Sequence, residues 1–318
     1  MQTIVILGAA GRVGDAAARA FVEAGWKVKG LARNAKAAQL APGVQAVQAD
    51  ATDRAALIAA CADADVVLHA LNPKYTEWEE KVIPLGENAI AAAEAAGATL
   101  MLPGNVYNFG HAIGMDTVED APQIASTPKA RIRIELEDMM RERAAQTGLQ
   151  SIVLRAGDFY GGTKPESWLD LIILAKLRRN VFTWGGPMEL PHSFAYLPDL
   201  GRAFVALAEK RDVLGRFERF HFAGHTMTGH DMKAAAEAAT GRTLATRGMP
   251  WMLLRAAGLF SPMMHELTVM SYLWRTPHSL DGSRLIRTVG QLRSTEPVAA
   301  LRQAIADLAL DEVYAVAA

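Results

Sequence analysis

Residues Gly8-Ala9-Ala10-Gly11-Arg12-Val13-Gly14 have the types and spacing of a turn that holds a diphosphate. They follow an apolar run at 3–7 and open an alanine-rich helical stretch at 11–24. In a strand-turn-helix of this kind Gly8 permits the tight turn, and Gly11 lets the backbone approach a pyrophosphate with no Cβ in the way. Gly14 allows the helix to pack close on the strand. Free N–H groups from Ala10 to Val13 then face the anion, with the helix dipole behind them. The second apolar run ends Gly30-Leu31-Ala32-Arg33-Asn34. Alanine stands there where an acid would accept hydrogen bonds from the ribose 2′-hydroxyl of NAD. Arg33 can form charge-assisted bonds to a 2′-phosphate, and Arg12 supplies a second cation. The expected cofactor is therefore NADP(H).

Positioning these groups takes a regular frame. Short β-type runs at 3–7, 27–31, 44–48, 65–69, 99–102 and 151–154 alternate with helical stretches at 11–24, 53–62, 79–96 and 129–147. Strand, helix, strand at this spacing implies right-handed βαβ units, hence an α/β protein with a doubly wound parallel sheet. Ile4-Val5-Ile6-Leu7 is apolar at every position, as a strand covered on both faces must be. After Arg155 the regularity breaks into glycine and proline punctuation, with helices expected at 167–179, 198–210, 229–240 and 296–308 and a strand at 217–223. The reading is a dinucleotide-binding domain over 1–156, to which elements of about 193–224 return. A smaller, mainly helical C-terminal cap takes 157–192 and 225–318.

Composition excludes several classes of function. The 318 residues are 51% hydrophobic and 21% charged, enough apolar content for a sizeable core. Thirty-three Lys and Arg against 34 Asp and Glu leave a net charge of −1, without the basic excess of a nucleic-acid binder. Cys61 is alone, so neither an internal disulfide nor a cysteine-based metal site is expected. The apolar stretch 251–274 contains Arg255, Pro262, His265 and Glu266, which argues against a membrane span. The start reads as a strand and not a signal peptide. These features together describe a cytoplasmic protein with a small-molecule substrate.

The GxxGxxG spacing resembles the short-chain dehydrogenase/reductase superfamily, in its extended and atypical branches, and the resemblance runs through residues 3–210. Gln48-Ala49-Asp50-Ala51-Thr52-Asp53 is similar to that superfamily's adenine-contacting segment, with Asp50 and Ala51 at the adenine ring. Val66-Val67-Leu68-His69-Ala70-Leu71 is similar to the cofactor-lining segment, which implies contacts from Ala70 and Leu71. Leu154-Arg155-Ala156-Gly157-Asp158-Phe159-Tyr160-Gly161 resembles the stretch LRPGNVYG, and Phe194 to Arg202 resembles YVDDLAR at a helix start. The resemblance implies a Rossmann-type NAD(P)-binding domain with a substrate cap.

At the catalytic position the pattern departs. Superfamily members carry Tyr-x-x-x-Lys on the helix after strand five. Aligned through Pro128 and the acids Glu135 and Glu137, this chain has Lys129 at the Tyr position and Arg133 at the Lys position. The two are i and i+4 and share a helix face. An ammonium beside another cation has a depressed pKa, suited to proton transfer near neutrality or to stabilising a developing alkoxide. Arg133 stays charged and can bond the ribose hydroxyls. The same charges also fit a solvated helix with Arg131–Glu135 and Arg133–Glu137 pairs. Tyr107 is the other candidate acid, and Asn105 can orient a substrate carbonyl, both in a loop at the carboxyl end of the sheet. His69 is expected to be a satisfied, partly buried histidine, and His111, His192 and His221 receive no role.

Trp184, Met249, Trp251, Met252, Met263, Met264, Met270 and Trp274 concentrate adaptable apolar side chains in the cap. They fit a pocket for an apolar or aromatic carbonyl compound, the cap's own core, or a homodimer contact. The leading expectation is an NADP(H)-dependent oxidoreductase. The alternatives are an epimerase or dehydratase with a tightly bound cofactor, and a non-catalytic NADP sensor similar to the NmrA-like regulators.

Overall fold

Alternate residues of the first strand enter two different cores, and the whole architecture follows from that. In β1 (Thr3–Leu7), Ile4 and Ile6 pack into one cluster and Val5 and Leu7 into another on the opposite face. The structure, a computed structural model, describes residues 1–32 and 39–311. The chain continues through α1 (Arg12–Glu23), β2 (Lys27–Leu31), β3 (Gln45–Val47), α2 (Arg54–Cys61), β4 (Val66–His69), α3 (Trp78–Ala96), β5 (Thr99–Gly104), α4 (Pro128–Thr147) and β6 (Ser151–Ala156). Next come β7 (Asp158–Tyr160), β8 (Val181–Trp184), β9 (His192–Tyr196), α5 (Leu197–Lys210), β10 (Phe217–Phe222), β11 (His225–Met227), α6 (Gly229–Thr240) and β12 (Ala245–Gly248). Helices α7 (Trp251–Gly258), α8 (Pro262–Val269), α9 (Ser283–Val289) and α10 (Pro297–Asp307) complete it.

Seven strands form one sheet in the order β10-β6-β5-β4-β1-β2-β3, and every pairing in it is parallel. Helices α1 and α5 cover one face and α2, α3 and α4 the other, which gives the doubly wound arrangement expected from the sequence. Strand order reverses between β1 and β4, so the crevice at their carboxyl ends is where such a sheet binds ligands. The cap is mainly helical, as its sequence suggests, with short strands added. It includes a three-stranded sheet β11-β9-β7, a two-stranded sheet β12-β8, and a core of Trp184, Trp251, Trp274 and Tyr160. Residues 192–196 join that small sheet, while β10 completes the large one.

The helix expected at 167–179 is not formed. A π-type turn, Leu169–Ile173, closes with the Leu174 N–H on the Leu169 carbonyl, and a short 3₁₀ turn, Leu177–Arg179, follows it. Leu169, Ile173, Leu174 and Leu177 all enter the cap core. On a straight α-helix they would spread over about 140°. The wider turn gathers them, so packing overrides the local pattern. Among the described residues no helix is long and apolar enough to cross a membrane, and no group of His, Cys, Asp and Glu could hold a metal ion.

Three buried histidines make the fold acid-sensitive. Burial pulls His69 and His221 down to about 3 and His278 to about 4. Unfolded, each titrates near about 6.5. Below that pH the unfolded chain binds protons that the native chain refuses. Stability is therefore expected to fall between about pH 6.5 and pH 4, by up to about 1.4 kcal/mol per pH unit for each histidine. Urea midpoints at the two ends of that window check this, and equal midpoints contradict it.

Candidate active site

The glycine turn is tighter than its sequence alone reveals. The Gly11 N–H donates to the Gly8 carbonyl at 2.9 Å, and the Asp15 N–H donates to Gly11 at 2.8 Å as α1 begins. Gly8 has φ +86°, and a Cβ there would lie 2.7 Å from the Ala70 carbonyl oxygen. A Cβ on Gly14 would lie 2.2 Å from the Gly8 oxygen. The turn therefore rests on the Ala70–Leu71 segment after β4, bringing together two stretches that the sequence had marked separately. Ala10, Arg12 and Val13 are half-buried around it, and Gly11 is exposed. Ala51 is buried, its carbonyl taken by Asn88 Nδ2 at 2.9 Å. Asp50 Oδ1 accepts from the Thr52 N–H and hydroxyl at 2.9 and 2.8 Å, which fixes the loop after β3.

Arg33 lies outside the described residues. Lys164 is a cation that sequence reasoning passed over. Its Nζ donates to the Gln39 carbonyl at 2.7 Å and lies 3.8 Å from Asp15.

Helix α4 starts where its sequence dictates. The Thr127 hydroxyl accepts from the Ala130 N–H at 3.1 Å and Pro128 occupies the first turn. That start puts Lys129 in the first turn, with Arg133 one turn on. Lys129 is buried at 2% exposure, sits 4.8 Å over the Tyr75 ring and pairs with Glu266 of α8. Burial lowers its ammonium to about 8, opposed by the Glu79 carboxylate. The helix dipole also disfavours a cation there, and no acid of α4 offsets it in that turn. The Arg133 guanidinium lies 4.7 Å over the Trp78 ring, half-buried, and its Nε has no partner among the described residues.

The Tyr107 hydroxyl meets the Tyr75 hydroxyl at 2.7 Å. Burial raises both phenols above their usual range. At Tyr75 the Asp158 carboxylate adds to that rise, while Arg12 and Arg133 oppose it. Arg12, Arg133, Lys129 and Tyr107 thus all bear on Tyr75 at the mouth of the sheet. Asn105 Oδ1 accepts from the Tyr107 N–H at 3.0 Å, so this oxygen shapes the loop.

The charge pairs expected along α4 are not made. Glu137 instead takes both oxygens to Arg155 Nη2 at 2.8 Å, a buried fork between α4 and β6. Arg131 lies 3.9 Å from Glu79 of α3. Glu137 and Arg155 are both buried, whereas Glu135 and Arg131 are exposed, so burial decides which acid is paired. His69 is fully enclosed at the end of β4, opposite Leu7, yet its Nδ1 has no partner among the described residues, contrary to expectation.

Sequence reasoning missed a second polar set. His192 Nε2 donates to Asp158 Oδ2 at 2.8 Å, and its ring stacks on Trp274 at 4.7 Å. Tyr272, on the turn that carries Trp274, has a buried hydroxyl without a partner among the described residues. Asp158 sits inside the LRAGDFYG motif and was within reach of inspection. Its partner His192 lies 34 residues on, with no spacing signal to connect them.

Solved structures share the fold. The UDP-glucose 4-epimerase of Thermotoga maritima with UDP-glucose superposes with a TM-score of 0.77 at 16% identity, covering 96% of this chain and 98% of its own. The Stenotrophomonas maltophila UDP-glucose-4-epimerase with bound NAD and formylated UDP-arabinopyranose gives 0.76 at 19% identity, over 96% and 97%. Bordetella bronchiseptica WbmH in complex with NAD+ gives 0.74 at 19%, over 96% and 98%. No curated protein matches in sequence. The NmrA-like family model matches residues 1–287, the whole sheet and the mouth with its buried lysine included, and the chain belongs to the NmrA-like family.

Proposed function

We propose that this chain is an NADP(H)-dependent oxidoreductase acting on a small carbonyl compound or the corresponding alcohol under the cap. The observation that carries this reading is Lys129, a lysine lowered to about 8 by burial at the mouth of a dinucleotide-type sheet. The residues present fit such a cofactor. The cradle at Gly8 and Gly14 has no room for a Cβ, and the mouth holds the cations Arg12 and Arg133, the latter with an Nε that has no partner among the described residues. Several structural neighbours hold NAD, which supports a nicotinamide coenzyme. The chain's own Arg33, with no acid at the end of β2, favours the 2′-phosphorylated form.

Bound there, NADPH would supply a hydride to the carbonyl carbon. The turn from Ala10 to Val13, with Arg12 beside it, would hold the pyrophosphate, and Arg133 would hold ribose hydroxyls. Asp50, Ala51, Ala70 and Leu71 would line the cofactor, with Asn105 orienting the carbonyl. Lys129 gives the substrate oxygen its proton in reduction and takes it back in oxidation. The Tyr107–Tyr75 pair, too weakly acidic to ionise, orients that oxygen by hydrogen bonding.

Lys129→Ala is expected to keep NADPH affinity and to lower turnover across a panel of carbonyls by about a hundredfold or more. The proton donor must be charged, so reduction by the parent should decline about tenfold per pH unit above about pH 8. A flat profile to higher pH, or an unchanged rate in Lys129→Ala, contradicts the assignment. One observation favours a non-catalytic NADP sensor instead: Glu266 closes over Lys129. NADPH binding without consumption of any panel member selects that reading.

A further inference from the structure

The Asp158–His192 pair is built rigidly and takes no part in the hydride and proton transfers proposed for the mouth. Its histidine is clamped between the Trp274 face and the edge of His278, at 4.7 and 4.5 Å. Trp274 is itself fixed by Gly185 and Gly186, since a Cβ on Gly186 would lie 1.8 Å from the Trp274 carbonyl oxygen. The carboxylate is thereby held at one place, with Oδ2 on His192 and no hydrogen bond to Oδ1 among the described residues. Asp158 influences Tyr75, Tyr107 and Tyr272, so it belongs to the same mouth as Lys129. Tyr272 stands on the turn Met270–Arg275 directly after the helix that carries Glu266, its hydroxyl buried and without a partner among the described residues. A buried hydroxyl without a partner is costly unless a ligand completes it.

We propose that Asp158, positioned by His192, and Tyr272 together anchor a free hydroxyl of an uncharged hydroxy-ketone or of the diol formed from it. This rests on the oxidoreductase reading and names its substrate class. A single hydroxyl satisfies both groups, donating to the carboxylate and accepting from the phenol. Charge narrows the class. The fixed carboxylate repels a phosphate at the anchored position itself, and Lys129, which faces the substrate oxygen, repels an ammonium beside the carbonyl. In the reaction the carbonyl carbon gains a hydride from NADPH and its oxygen gains a proton from Lys129. The anchored hydroxyl on the neighbouring carbon is unchanged.

The test compares NADPH consumption with 2-hydroxycyclohexanone and cyclohexanone, after NADPH binding has been measured by calorimetry on each variant. A hydrogen bond to a charged group predicts that the parent favours the hydroxy-ketone by about tenfold or more in kcat/KM. Asp158→Asn and Tyr272→Phe should each bring the ratio near one, with NADPH affinity unchanged. His192→Gln, which keeps a donor, should retain the preference that His192→Phe loses. UDP-glucose should not inhibit below about millimolar concentration. A parent ratio near one, a ratio unmoved by Asp158→Asn with NADPH still bound, or micromolar inhibition by UDP-glucose overturns the anchor alone. No NADPH binding by the parent defeats the cofactor reading and the anchor with it.

Discussion

Gly14→Ala is expected to give a folded protein that no longer binds NADPH, with affinity lower by about a hundredfold or more, equivalent to about 3 kcal/mol. The added methyl would lie 2.2 Å from the Gly8 carbonyl oxygen and 2.9 Å from the Ala9 Cα. Both are backbone atoms and no rotamer change relieves them, so α1 must shift away from β1. The helix itself should survive, because Ala17, Ala18, Ala20 and Phe21 bury its face against α5 and the sheet. Overpacking of this kind costs about 1–3 kcal/mol of stability. What is lost is the alignment of free N–H groups at the helix start with the turn, which is the anion site itself. Calorimetry for binding and a thermal melt for folding separate the two effects. Parent-like affinity in the variant contradicts the assignment of the turn.

Glu137→Leu is expected to destabilise the protein by about 3–5 kcal/mol, because it strands a buried guanidinium. Arg155 and Glu137 are 1% and 2% exposed, and the fork between them ties β6 to α4. Arg155 also donates to the Asn105 carbonyl, and Glu137 accepts from Asn108 at 3.0 Å and Gln123 at 3.3 Å. The pair thus holds the loop that presents Tyr107. In Glu137→Leu/Arg155→Met no charge is left uncompensated, and most of the stability should return. Turnover should not recover with it, since the Asn105 carbonyl has lost its donor and Tyr107 its fixed place. Urea midpoints and turnover of the three proteins test this together. A single variant within about 1 kcal/mol of the parent would show that the fork carries little.

The large sheet was legible because its signal is local. Runs apolar at every position, separated by helices of crossover length, leave few topologies, and the glycine spacing marks the first crossover. Lys129 and Arg133 were legible as a pair because a helix fixes i and i+4 on one face. The partners of these residues were not legible, because burial and tertiary register choose them. Glu137 sits one turn after Arg133 and also faces β6, where Arg155 waits in a drier place. Glu266 reaches Lys129 from 137 residues away. The small strands around the cap were not legible for the same reason: they are three to five residues long and pair across long separations, so no periodicity announces them.

The most direct test of the account is a calorimetric titration of the parent with NADPH and with NADH. Binding of both is predicted, with NADPH tighter by about tenfold or more through the charge-assisted contact of Arg33 with the 2′-phosphate, a margin that Arg33→Ala removes. Folded protein that releases no heat with either coenzyme would contradict the account at its base.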